Sequence, residues 1–309
     1  MTQVKLLKKS LNKLKFWLRN LGTLRALSLA SILHPMSTQR IPLETLQKVR
    51  QYLKGILVLP ESENRPFTTA LANSTLSPEP DSLAALGDLF RIGGGMDEGV
   101  PKPNNCGEWY VSVMDPGVVF MKLPGLHLRS GYRLATYLYR QGEEGVGKTW
   151  AIPEAMGTTA NLEQALSAAG TEEEPPKPLN CLEDISLAIE GDNSPGSYVY
   201  ASLLRRELQE FGALGKQGIW GKHTLISSIP QQLRWQWRTE VKDLSSKVKI
   251  FPDGRAIVEF FSCRVTPSIA IFQHLDQYST RDSSEKSAGA YLPKSINRLV
   301  AIGQRKPTT

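Results

Sequence analysis

The sequence predicts an α+β fold, rich in helix and carrying short β-hairpins. Three segments predict the helices. Residues 4–21, 42–54 and 230–244 repeat apolar side chains at intervals of three and four, which gathers them on one helical face. Two turn signals predict the hairpins. Asp115-Pro116-Gly117 and Pro252-Asp253-Gly254 each separate runs of apolar and β-branched residues.

A chain of 309 residues suggests two domains at about 150 residues each. Six segments follow from composition: a basic amphipathic arm (1–55), a loop-rich linker (56–105), a first helix and hairpin unit (106–170), a polar linker (171–180), a second unit (181–265), and a C-terminal helix with a basic tail (266–309). The formal net charge is +7, but it is unevenly placed. Residues 1–43 carry eight basic residues and no acid, and residues 286–309 carry five and no acid. The body between them is mildly acidic, which excludes a uniformly basic protein of histone type.

Cys106, Cys181 and Cys263 form no CxxC pair, so a zinc ribbon or redox dithiol has no support. The sparse, odd count fits a reducing, cytoplasmic setting. His34, His127, His223 and His274 are scattered and make no metal cluster, so each reads as a satisfied structural histidine. No stretch reaches the roughly 18 apolar residues of a membrane span. The first residues lack the clean apolar core of a secretory signal, while an organelle presequence stays open because the segment is basic and acid-free. No cofactor is implied.

Taken in order, segment 4–21 places Leu7, Leu11, Leu14, Leu18 and Leu21 on one stripe, with Lys5, Lys8, Lys9, Lys13 and Arg19 on the other side and Trp17 at the border. Four readings fit it. It lies on an anionic membrane with Trp17 at the interface; it contacts nucleic-acid phosphates; it is a cleaved presequence; or its leucine stripe packs on the body or on a protein partner. A second helix runs from Pro42 to Lys54, with Pro at its first position and Gly55 at its end. Residues 60–105 read as loop, with a short helix around 81–91. Glu108–Val113 and Val118–Leu123 then read as paired strands.

An internal repeat follows. Tyr132-Arg-Leu-Ala-Thr-Tyr-Leu-Tyr-Arg140 and Tyr198-Val-Tyr-Ala-Ser-Leu-Leu-Arg-Arg206 share Tyr-x-x-Ala-(Thr/Ser)-x-Leu-x-Arg. Each is followed by Gly-Lys and then Ile-Pro. Between the first copy and its Ile-Pro, the run from Gly142 to Gly147-Lys148-Thr149 matches the nucleotide-binding GxxxxGK[ST] pattern. A working P-loop needs a strand before it and a helix after it. Residues 131–141 have helical spacing, Pro153 comes too soon for a following helix, and Ile185–Glu190 with Asp192 is a poor Walker B segment. A P-loop nucleotide binder is therefore the third functional reading.

In the second copy, Ser197 caps a helix over Tyr198–Phe211, a short helix covers His223–Ser228, and Pro230 opens a third over 230–244. A hairpin follows, Val248–Ile250 and Ala256–Val265. Three helices and then a hairpin is the element order of a winged helix, and over 197–265 the chain resembles winged-helix DNA-binding domains. The first copy gives a looser version, with helices 131–141, 150–156 and 160–169, so two winged-helix-like units stand in tandem.

That resemblance implies a groove-reading third helix. Gln231, Arg234, Arg238 and Lys242 recur at intervals of three and four and would share one arc, suited to guanine, adenine and phosphate contacts in a major groove. The hairpin would add Lys249 and Arg255. A solvated, inert helix face fits the same residues. So does a strand, because Arg234-Trp-Gln-Trp-Arg238 alternates strictly. The leading expectation is a non-enzymatic, regulatory protein that binds double-stranded DNA. The alternative is a peripheral membrane or assembly-factor protein acting through segment 4–21.

Overall fold

In the computed structural model most long apolar segments settle as strands. The structure describes residues 37–60, 63, 106–231, 233–266, 268–279 and 291–305. The expected segments 4–21 and 81–91, and so Lys5, Lys8, Lys9, Lys13, Trp17 and Arg19, lie outside them.

The largest element is an antiparallel sheet of seven strands, curled into a half-barrel. Its strands are β1 (Ser37–Ile41), β7 (His223–Ile226), β8 (Leu233–Trp237), β9 (Ser246–Ile250), β10 (Ala256–Arg264), β11 (Ala270–Tyr278) and β12 (Pro293–Arg305). The order is β1-β9-β10-β11-β12-β8, and β7 pairs with the far end of β10. A second sheet joins β2 (Cys106–Val111), β4 (Tyr132–Gln141) and β5 (Glu144–Pro153). A two-stranded ribbon pairs β3 (Leu126–Leu128) with β6 (Ile189–Gly191). Three α-helices are described: α1 (Leu43–Ile56), α2 (Thr159–Leu166) and α3 (Pro195–Gln209).

Helix α3 organises the molecule. Pro195 occupies its first turn, where a missing N–H costs nothing, and Ser194 accepts the Ser197 N–H at 3.2 Å. The helix thus starts three residues earlier than the expected Ser197 cap. Tyr198, Val199, Ala201, Leu203, Leu204 and Leu208 are all buried, so apolar contact surrounds it on most sides. It packs on α1, whose Leu46 and Leu53 join the same core, and on Val248, Val258 and Phe260 of the long sheet. The second sheet builds its own cluster around Trp109, Tyr137, Trp150 and Ile152, closed by Leu162 of α2.

The helix-rich, winged-helix reading is therefore wrong, and each failure has a local cause. Residues 233–237 are an edge strand paired with 301–305 of β12. Trp235 and Trp237 share the face of Gly303 and Ala301, while Arg234 and Gln236 take the other. The helical spacing of Leu233, Trp237, Val241 and Leu244 was real in sequence. Val241 and Leu244 reach the core from the loop after β8 instead, where they cover Phe261 and Ile271. The expected helix at His223–Ser228 is β7, and the expected C-terminal helix is β11 and β12.

In the first unit, residues 131–141 are strand β4, buried on both faces from Leu134 to Arg140. The expected helix 150–156 is the end of β5 followed by a 3-10 turn, Glu154–Met156. Val118–Leu123 is not a strand: Asp115 accepts the Gly117 N–H at 2.8 Å and opens a 3-10 helix, Pro116–Lys122. The two repeat copies fold differently, one into β4 and one into α3, so the shared letters carry no shared structure. Several expectations are met closely: the strand at Glu108–Val113 is β2 and the helix at Tyr198–Phe211 is α3. α1 spans Leu43–Ile56, running through Gly55; α2 spans Thr159–Leu166 behind its Thr158 cap; and the 252–254 turn joins β9 to β10. The segment 171–180 is irregular and pinned to the second sheet. The Trp109 indole N–H donates to Thr171 O at 2.9 Å and that of Trp150 to Pro176 O at 2.8 Å.

Candidate nucleic-acid interface

The expected groove arc does not form. Gln231 is exposed in the turn before β8. Arg234 is exposed on the face of β8 that shares Gln304. The Arg238 N–H donates to Val300 O at 2.9 Å, and Lys242 is exposed in the loop that follows. Strand alternation and the end of β8 scatter the four residues, and no helix carries them.

Gly142, Gly147, Lys148 and Thr149 lie in the β4–β5 hairpin. Gly142 takes φ +60° at the tip, and Gln141 pairs across it with Glu144. Lys148 lies over the Trp150 ring at 4.3 Å, and Thr149 Oγ1 is 2.9 Å from Thr136 Oγ1. The sequence matches a P-loop, but its strand-loop-helix frame is absent here: strand follows strand, with no helix dipole aimed at the glycines.

A different basic surface emerges on the long sheet. Helix α3 covers the face bearing Val248, Val258, Phe260, His274 and Asp276. The odd-numbered residues of β9, β10 and β11 point to the opposite face. The register places Thr38, Lys249, Ile257, Gln277 and Lys294 in one row across five strands. Arg40, Lys247, Glu259, Leu275 and Ile296 form the next row, and Gln273 and Arg298 follow. None of these side chains is buried.

Charge on this face is asymmetric. Lys247 pairs with Glu259 at 2.9 Å, and the other Glu259 oxygen accepts from Gln273 at 2.6 Å. Arg40 pairs with Asp243 at 3.2 Å. Lys249, Lys294 and Arg298 have no acidic partner among the described residues. At strand spacing, Lys249 and Lys294 stand about 14 Å apart, and Lys294 and Arg298 about 13 Å. The 252–254 turn closes one end, where Arg255 stacks on Phe251 at 5.3 Å and pairs with Asp253 at 2.6 Å. Of the residues nominated from sequence, Lys249 is on this face and Arg255 is at its margin. Lys294 and Arg298 were missed as site residues; they stand with Ile296 at every second position of β12 and so share its face, but one apolar residue among the five from 294 to 298 gives no alternation to read.

Under α3 lies a polar chain, buried except at Asn297. Arg206 donates to both Asp276 oxygens, at 2.6 and 2.9 Å, and to Asn297 Oδ1 at 3.2 Å. Asn297 Oδ1 also lies 2.7 Å from His274 Nδ1, and His274 Nε2 is 2.7 Å from Ser262 Oγ. Ser262 Oγ reaches His223 Nδ1 at 2.8 Å. Because the Asn297 oxygen can only accept, His274 carries its proton on Nδ1 and Ser262 donates to Nε2; His223 Nδ1–H then donates to Ser262. Ser262 is fully buried, so this arrangement fixes side chains and presents no nucleophile to solvent. A second set braces α1: Arg50 reaches Glu207 at 2.7 Å, Trp220 O at 2.7 Å and His223 O.

Of the four histidines read from sequence as structural, His223 and His274 are buried and hydrogen-bonded here, His127 is exposed beside Glu190 at 3.2 Å, and His34 lies outside the described residues. Burial and nearby arginines hold His223 down to about 4, and burial and Arg206 hold His274 down to about 3. Their unfolded forms take up a proton near pH 6.5 and their folded forms do not. Stability is then full above pH 6.5 and falls as pH drops toward 4 and 3. The expected loss by about pH 4.5 is about 2–3 kcal/mol for each histidine. Urea unfolding at about pH 7.5 and about pH 4.5 measures it, and equal midpoints would contradict the assignment.

Among the described residues no helix is long and apolar enough to cross a membrane. The chain matches no family model, no curated protein and no solved structure.

Proposed function

We propose that this chain is a nucleic-acid-binding protein whose contact surface is the open face of the long sheet. The observation that carries the reading is the set Lys249, Lys294 and Arg298: three exposed or half-exposed cations on the face opposite α3 that have no acidic partner among the described residues, while Glu259 is already paired with Lys247 and Asp243 with Arg40. Phosphate contacts supply most non-specific nucleic-acid affinity, and cations without an internal partner are the ones free to make them. Binding of this kind needs no covalent step. The acid-free terminal segments 1–35 and 306–309 would add charge to the same partner.

Fluorescence anisotropy with labelled oligonucleotides tests the reading. Lys249→Glu, Lys294→Glu and Arg298→Glu together should weaken binding by more than about tenfold, with circular dichroism unchanged. Unchanged affinity would reject the face as the contact surface. A folded wild type that binds no oligonucleotide, but floats with anionic vesicles and loses flotation in the variant, would reassign the face to a membrane surface.

A further inference from the structure

We infer that the open sheet face takes a single strand of nucleic acid, with bases lying over its centre and phosphates on its cations; this rests on the nucleic-acid reading above. The first argument is the layout of the face. Lys249 stands on β9 and Lys294 and Arg298 on β12, so the cations line two banks. Between and beside them lie Ile257, Leu275 and Ile296, all half-buried, with the side-chain amides of Gln273 and Gln277. A double helix offers a protein face too broad for its grooves only its sugars and phosphates, which would leave that apolar floor against polar groups. A single strand has free base faces, which cover apolar surface while its phosphates turn toward either bank.

The second argument is size. A major groove about 12 Å wide admits one helix or a two-stranded ribbon. The face from β1 to β12 spans five strands, about 19 Å at strand spacing, and cannot enter. The helix that would have entered, residues 230–244, is not formed. Base edges in a duplex are thus out of reach of this face, whereas those of an unpaired strand are open to Gln273 and Gln277. Gln273 already donates to Glu259, which leaves its carbonyl oxygen as an acceptor. Phe251, under Arg255 at the end of the same face, provides an aromatic plate beside Lys249.

The experiment compares an oligothymidine of about 20 nucleotides with a duplex of the same length, each labelled, at one salt concentration. The single strand is expected to bind the full-length chain at least about tenfold more tightly than the duplex. Leu275→Gln, a half-buried position that keeps every charge, should lower single-strand affinity about threefold or more and leave duplex affinity unchanged. Thermal melting confirms that this variant is folded, and Ile296→Gln provides a second test of the floor. Equal or tighter duplex binding would overturn the single-strand inference while leaving the nucleic-acid reading standing. Binding of neither probe would overturn both.

Discussion

Asp276→Ala is expected to destabilise the protein by about 3–5 kcal/mol, the usual result of removing one partner from a buried ion pair. Asp276 is fully buried and receives two bonds from Arg206, one of them at 2.6 Å. Arg206 holds its carboxyl below the usual range against a desolvation that pushes the other way. Without the carboxylate, Arg206 remains buried with a charge and one side-chain acceptor, Asn297. The damage would spread, because Asn297 also orients His274 and through it Ser262 and His223. The double variant Arg206→Met and Asp276→Leu should recover much of the loss, since two apolar side chains leave no charge behind. Chemical denaturation of the three proteins checks this. A single variant within about 1 kcal/mol of wild type would show that the pair does not anchor α3 to the sheet.

Gly147→Ala is expected to cost about 3 kcal/mol through backbone collision. A Cβ at position 147 would fall inside contact distance of the Phe211 carbonyl and 3.1 Å from Gly212 Cα. Both obstacles are main chain, and the segment is fastened there by Leu214 N–H to Gly145 O at 2.8 Å. Gly142→Ala meets nothing within 4 Å but needs a positive φ, so it should cost only about 1 kcal/mol. Gly142 and Gly147, two of the three glycines of the P-loop-like run, thus separate by cause, and the effect of Gly147 should not depend on nucleotide. Equal, small effects in urea unfolding would contradict the packing of β5 against the chain after α3.

Some of this architecture was legible in the sequence. The Pro252-Asp253-Gly254 turn was, because its chemistry is local: Gly254 takes φ +83° and donates to Phe251 O at 2.9 Å. Helix α1 was, because Pro42 and a clean apolar stripe agree. Of the two copies of Tyr-x-x-Ala-x-x-Leu-x-Arg, the second is the helix its sequence predicts, now α3, but the first, also expected as a helix, is strand β4. Such a nine-residue pattern suits either state, and long-range pairing decides it: β4 has β2 and β5 beside it, while α3 has Ser194 and Pro195 to start a helix. Residues 233–237 became a strand because β12 runs to residue 305 and offers them an edge. Strict alternation had marked that outcome as open.

The site was less legible than the fold. Reading basic residues on a helical arc chose Arg234 and Arg238, which the structure separates from Lys249. The surface that does assemble draws on β1, β9, β10, β11 and β12, from segments 37–41, 246–250, 256–264, 270–278 and 293–305. Only sheet order brings Lys249 and Lys294 into one row, and sheet order is not a local property of sequence. The buried chain from Asp276 to His223 is similar. Its trace in sequence is three polar residues at alternate positions that share the face under α3, Ser262 in β10 and His274 and Asp276 in β11.

The most direct measurement of the central claim is the salt dependence of oligonucleotide binding by wild type and by the neutral variant Lys249→Gln, Lys294→Gln, Arg298→Gln. If these three cations each meet a phosphate of a single strand, the slope of log affinity against log salt should fall by about 2 in the variant. Salt-independent binding by the wild type, or the same slope in both proteins, would contradict the claim that the open sheet face is the nucleic-acid contact.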